Sequence, residues 1–291
     1  MKKIVLTAII IGLFICGVAS AGLGGDGKEH NQIPVSVSSF NVPMVGQQQV
    51  SCKILWDTTH GDTSSDGFAM YGELVSDLQS KGCTVTTTTA GVDTPGLLSQ
   101  YNVLVINAGS SANSAYTTPE VNAINTFVNN GGGLLVMDEW LGFHADNLEP
   151  VVSQFGTHDI ATIGSYDHIT NLDTTQPIFS GVSSIELFYI GALSAQSPST
   201  AVAWDGQQAV VNVVTGKKVV IIGDDNVFQT DTTYNFINQF DNRKFASNVF
   251  TYLCPKQEII KGPEFPTIFL PAAMIIGFLG AVLLIQRTRK R

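Results

Sequence analysis

"NVLVINAG", residues 102–109, carries Val103, Leu104, Val105 and Ile106 in an unbroken apolar run and ends on the small residues Ala108 and Gly109. A strand that is apolar on both faces must be covered on both faces, which is the situation of a parallel sheet lying between two layers of helix. Working outward, "KILWDTTHG" (53–61) and "CTVTTTTA" (83–90) precede it as two further strands, and "GGLLVMDEW" (132–140) follows as a fourth. Between the first two, "SSDGFAMYGELVSDLQSKG" puts Phe68, Tyr71, Leu74, Val75 and Leu78 on one helical face, with Gly82 as the stop. Between the last two, "TTPEVNAINTFVNNGG" reads as a helix capped by Thr118, with Pro119 at its first position and Glu120 in its first turn.

Farther on, "AVAWDGQQAVVNVVTGKKVVIIGDDN" (201–226) reads as two short strands and a tight Thr215-Gly216 turn feeding a final apolar strand over 219–222. "DNRKFASNVFTYL" (241–253) closes the domain as a helix capped by Asp241 that buries Phe245, Val249 and Leu253. The predicted architecture is α/β: a flavodoxin-like three-layer domain with a mainly parallel sheet over residues 51–256, without internal repeats or a second domain. The section around His144, His158 and His168 reads as loop-rich. Its histidine spacings fit no metal motif, so these side chains, with Asp146, Asp159 and Asp167, are expected to be exposed loop residues rather than transition-metal ligands. Trp140, Phe143, Phe188, Tyr189 and Trp204 are expected to be core aromatics rather than a sugar-stacking platform.

The two ends of the chain have a different character. Lys2 and Lys3 precede an apolar run and Ala19-Ser20-Ala21 supplies small residues, so residues 1–21 read as a signal helix cut by signal peptidase after Ala21. Residues 22–50, rich in Gly, Ser, Gln and Pro, read as an irregular extension or linker. At the other end, residues 268–285 carry no charge, and a helix of that length spans roughly 27 Å, about the hydrocarbon thickness of a bilayer. A linker over 257–267, a transmembrane helix over 268–286 and a basic cytoplasmic tail over 287–291 are predicted. The Arg287, Arg289, Lys290 and Arg291 cluster places the preceding domain outside the cell membrane, at the cell surface.

Without the basic residues of the two ends, nine Lys and Arg stand against 24 Asp and Glu, a balance that repels nucleic acid and excludes it as a partner. Past the signal segment the cysteines are Cys52, Cys83 and Cys254, none in a C-x-x-C pair, which argues against a sulfur-bound metal. Cys52 and Cys83 each open a predicted strand. If those strands are neighbours, a Cys52–Cys83 disulfide can form in an oxidising exterior, leaving one thiol over.

Three resemblances attach to these residues. Pro263-Glu264-Phe265, followed by Pro266-Thr267, an apolar helix and terminal basic residues, resembles the PEF-CTERM sorting signal of archaeal surface proteins. The resemblance implies cutting near the tripeptide by an archaeosortase-type enzyme and display among other surface-layer components. Second, "ILWDTTHG", "YNVLVINAG", "INTFVNNGGGLLVMDE", "PIFSGV" and the segment from "KKVVIIGDDNVF" to "DNRKFASNVFTYL" are similar to the class I glutamine-amidotransferase-like domain. The nearer types are the non-catalytic ones of gliding-motility auxiliary proteins, intraflagellar-transport proteins and the DUF4350 group. Third, true amidotransferases of this class carry a cysteine on a tight strand-to-helix turn. Here those turns read Ser110-Ser111-Ala112 and Trp140-Leu141-Gly142, so the resemblance implies a protein without that activity and therefore not an enzyme of that kind.

In open α/β sheets ligands bind at the carboxyl ends of the strands. Those ends carry Asp57, His60, Asn107, Asp138, Glu139, Asp224, Asp225 and Asn226, which are expected to converge on one edge. Oxygen donors there could hold Ca²⁺ or a hydroxylated ligand, although caps and turns account for the same residue types and no cofactor is required. The leading functional expectation is an exported, surface-anchored binding or scaffolding module. The alternatives are a hydrolase or a sugar- or cation-binding protein using the strand-end carboxylates, and an auxiliary subunit of a transport system held permanently in the membrane by its C-terminal helix.

Overall fold

The apolar runs form the middle of one sheet. The computed structural model describes residues 52–60, 67–108, 115–141, 145–230 and 235–254, which fall within one compact unit. The signal segment, the PEF motif with Pro263, Glu264, Phe265, Pro266 and Thr267, and the apolar C-terminal segment lie outside them. Strands β1 (Lys53–Asp57), β2 (Thr84–Thr88), β3 (Val103–Asn107), β4 (Gly133–Met137) and, late in the chain, β12 (Val219–Ile222) run parallel in the order β2-β1-β3-β4-β12. That order, with the chain reversing its direction of travel between β1 and β3, is compatible with a flavodoxin-like sheet and places its switch point there.

Alternation along these strands divides the core in two. Ile54, Trp56, Val103, Val105, Leu135, Met137, Val220 and Ile222 face one layer, which holds α1 (Gly72–Ser80) and α4 (Asn242–Leu253) through Leu74, Leu78, Phe245, Val249 and Leu253. Leu55, Leu104, Ile106, Leu134, Val136, Val219 and Ile221 face the other, packed by α2 (Thr118–Asn129) and α3 (Ala145–Val152) through Val121, Ile124, Phe127, Leu148, Val151 and Val152. Each of these strand residues is fully buried. Burial at about 25 cal/mol per Å² on both faces is what fixes the strands as central.

Three expectations need correction. The cap of α2 is Thr117, not Thr118. The Glu120 carboxylate, three residues on, accepts from the Thr117 amide at 2.9 Å and the Thr117 hydroxyl at 2.7 Å, so the helix starts one residue earlier. The middle section is not loop-rich: β5 (Thr157–Gly164), β6 (Asp167–Ile169), β7 (Asn171–Leu172), β8 (Ile185–Leu187) and β9 (Ile190–Ala195) occupy it. With β10 (Ser199–Asp205) and β11 (Gln208–Val214), strands β5, β7 and β9 continue the sheet beyond β12 through antiparallel pairs, β9 pairing with both β5 and β11, while β6 and β8 pair with each other in a separate two-stranded sheet. Asp241 sits at the start of α4, but its carboxylate accepts from the Ser183 amide at 2.7 Å instead of from its own helix.

The fourth correction concerns sulfur. Cys52 is bonded to Cys254 across 202 residues, and Cys83 keeps its thiol. Strands β1 and β2 are neighbours as expected, with Lys53 opposite Thr84. The end of α4, however, returns to the same amino-terminal edge of the sheet and delivers Cys254 there.

Candidate functional site

Because β1, β3, β4 and β12 are parallel, the polar residues at their carboxyl ends share one edge, and all are buried: Asp57, His60, Asn107, Asp138, Glu139, Asp224, Asp225 and Asn226. Their contacts divide them into separate groups.

The first group stands at the switch point. Asp57 Oδ1 accepts from the Thr59 amide at 2.8 Å and its hydroxyl at 2.6 Å. Asp57 Oδ2 accepts from the Tyr116 hydroxyl at 2.7 Å and faces His60 Nδ1 at 3.1 Å. The other ring nitrogen, Nε2, faces Glu120 Oε2 at 3.4 Å, and the Tyr116 ring stacks on the imidazole at 3.9 Å. Burial alone would raise Asp57, but the hydrogen bonds of His60, Thr59 and Tyr116 overrule it and hold the carboxylate below its usual range. Burial alone would lower His60, yet the hydrogen bond and charge of Asp57 and the charge of Glu120 raise it. A histidine ring with a carboxylate facing each nitrogen clasps the end of β1 to the start of α2. Asn107 belongs to the same place, its Oδ1 accepting from Trp56 Nε1 at 3.1 Å.

The second group pairs a predicted residue with one read otherwise. Burial, then the charge and hydrogen bond of Asp159, push Asp138 well above the carboxylate range. Asp159 itself is pushed up to about 7, first by burial and then by Glu149 and Asp146, against the hydrogen bond from Asp138. Burial thus favours the neutral form of both carboxyls. In the third group, burial, then the charge and hydrogen bond of Asp225 and the charge of Asp224, push Glu139 well above the carboxylate range. Asp224 accepts from the Phe188 amide at 2.8 Å and the Asn226 amide at 2.7 Å.

What buries these acids is a crossing of the sheet edge by the chain between β8 and β9. Tyr189 turns there with φ 56°, a left-handed conformation rare for a ringed side chain, and packs on Trp140 with ring centroids 4.8 Å apart. The Gly191 amide then donates to Gly223 O at 2.7 Å. The approach demands glycine: a Cβ at 191 would lie 2.5 Å from Glu139 O. The carboxyl edge beside β4 and β12 is thus roofed by backbone.

Among the described residues, the ligand atoms that cluster within 4.8 Å of one another are the three cysteine sulfurs, not three of the strand-end acids. His158 lies on β5 with Nδ1 at 2.6 Å from Glu149 Oε1, and His168 lies on β6 stacked on Phe240 at 3.9 Å. Both are strand residues with separate partners, correcting their loop assignment; His144 is outside the described residues. Phe188 is buried as expected of a core aromatic. A cavity of about 630 Å³ opens among Asp93, Asn102, Asn122, Thr126, Gly132 and Lys218, at the amino-terminal edge and away from the acids. The carboxyl-end rule found the acids on β1, β4 and β12 but missed Tyr116, Glu120 and Asp159. A capping box, Thr117 to Glu120, was the one available signal for Glu120.

No family model and no curated protein matches the sequence. Solved structures match by shape. The "mmIFT52 N-terminal domain" superposes with a TM-score of 0.56 at 13% identity, over 69% of this chain and 96% of that one. A ThuA-like protein from Bacteroides uniformis gives 0.52 at 14% identity, over 74% and 96%. A cytoplasmic protein from Salmonella typhimurium gives 0.54 at 17%, over 70% and 100%. The first two of these neighbours fit a glutamine-amidotransferase-like fold, and at such identities the likeness concerns the fold alone.

Proposed function

We propose that this chain is an exported, surface-displayed protein whose α/β domain binds or scaffolds a partner instead of hydrolysing glutamine. One observation carries the reading. The edge where the amidotransferase nucleophile would stand is roofed beside β4 and β12 by Phe188–Gly191, while Cys52, Cys83 and Cys254 gather at the opposite edge, two of them bonded together. A nucleophile must face its substrate across an open crevice, and among the described residues no thiol stands near this edge. The sequence supports the rest: a signal segment for export, the PEF tripeptide as an archaeosortase address, and the apolar helix as the device that presents it.

Two measurements test the reading. Full-length protein in detergent is expected to release ammonia from glutamine no faster than buffer, and a release abolished by Cys83→Ser would overturn it. Mature protein from its own cell surface is expected to lack the peptides of residues 268–291 and to end near Phe265 with the added mass of an anchor. An intact C-terminus on most molecules would instead make the helix a permanent anchor.

A further inference from the structure

Cys52 immediately precedes β1, Cys83 immediately precedes β2 and Cys254 follows α4, and their three sulfurs lie within 4.8 Å of one another. Cys52 and Cys254 are joined; Cys83 is a thiol. The parallel register sets Lys53 opposite Thr84, and the Thr84 amide donates to Cys52 O at 2.9 Å. Cys52 and Cys83 therefore stand one residue before matched positions on neighbouring strands. Such positions are about 5 Å apart, inside the span a disulfide bridges. Cys52 thus has two partners within reach and is bonded to one.

We propose that Cys83 is the nucleophile of an internal thiol–disulfide exchange that trades the Cys52–Cys254 bond for a Cys52–Cys83 bond. The Cys83 thiol gives its proton to solvent, and the thiolate attacks Cys52 Sγ. The Cys52–Cys254 bond breaks, its electron pair leaves on Cys254 Sγ, and that sulfur takes a proton from solvent. One disulfide is consumed and one formed, so the step needs no outside oxidant or reductant. Cys83 is half-buried; burial pushes its thiol up, and the neighbouring Lys81 ammonium works against that. Exchange is consequently slow at neutral pH and quickens about tenfold per pH unit until the thiol ionises.

The two pairings hold different things together. Cys52–Cys254 ties the start of β1 to the end of α4, closing the described domain on itself. Cys52–Cys83 ties only two strands that already share backbone hydrogen bonds. After exchange the end of α4, from which the chain continues toward the tail, keeps the Lys218 Nζ bond to Cys254 O at 2.9 Å but no covalent tie.

The test follows the sulfurs in purified full-length protein. Samples held at neutral and mildly alkaline pH are quenched in acid, alkylated, digested without reduction and mapped by mass spectrometry. Cys52–Cys254 and Cys52–Cys83 peptides should both be present, the alkyl label moving from Cys83 to Cys254 about tenfold faster per pH unit. Cys254→Ser should form Cys52–Cys83 on air oxidation. The proposal fails if the wild type shows only Cys52–Cys254 with the label confined to Cys83 at every time and pH, or links Cys83 to Cys254 instead. It fails equally if Cys52 and Cys83 stay thiols in a folded Cys254→Ser. The wild-type series decides alone if that variant does not fold.

Discussion

The carbonyl oxygen of Gly191 lies 2.2 Å from where a Cβ on residue 223 would stand, so β9 crosses the end of β12 at a separation only glycine permits. Backbone blocks that Cβ, and backbone cannot swing aside as a side-chain tip can. Gly223→Ala should therefore cost about 1–3 kcal/mol, read as a lowered Tm. Gly72→Ala, with nothing within 4 Å of its added Cβ at the start of α1, is the control and should be neutral or slightly stabilising. Equal melting of the two variants would mean that the crossing is looser than described.

The Asp138–Asp159 pair gives stability a pH dependence of definite sign. Asp159 is pushed up to about 7 from an ordinary 3.8, so the folded protein holds a proton that the unfolded chain has released. That contribution is complete below about pH 4 and is lost as pH rises through about 7, a change on the order of 4 kcal/mol. Asp159→Asn should flatten this limb and leave the variant more stable than wild type at mildly alkaline pH. A wild-type profile with no fall between those limits would contradict the raised Asp159 carboxyl.

At the switch point the signs are opposed. Raised His60 stabilises below about pH 6.5 and loses its contribution as pH rises through its higher folded value. Lowered Asp57 stabilises above about pH 4 and loses its contribution as pH falls through its lower folded value. His60→Gln removes the cation between two buried carboxylates and should cost about 3 kcal/mol in the window between, with the gap narrowing at both extremes. Tyr116→Phe removes one hydrogen bond to Asp57 and should cost about 1–2 kcal/mol. A His60→Gln loss that ignores pH would reduce the clasp to packing.

The central strands were legible because Val103–Ile106 and Val219–Ile222 are apolar on both faces, and such runs have few alternatives to a covered parallel sheet. β5 to β9 were not legible. "THDIATIG" interleaves polar and apolar residues without a clean period, and β5 pairs with β9 through two register shifts that break the alternation. Cys254 was missed as the partner of Cys52 because a helix end 202 residues away leaves no local mark in sequence, whereas neighbouring strand starts do. For the site, the carboxyl-end rule located Asp57, Asp138 and Asp224. It could not say that Tyr116 and Glu120 complete one group and Asp159 another, since those residues precede a helix, begin one, or lie on a strand that was not recognised.

The most direct measurement is amide hydrogen exchange along the chain that roofs the acids. The Phe188 amide is bonded to Asp224, the Gly191 amide to Gly223 and the Asp138 amide to Ile222, all within the fold's core. Phe188 and Gly191 should therefore be protected to the same degree as Leu135 and Ile221 in β4 and β12, opening only with the whole domain. Exchange at Phe188 and Gly191 as fast as at exposed loop amides, with β4 and β12 still protected, would show an open carboxyl edge and contradict the reading of this domain as a closed, non-catalytic module.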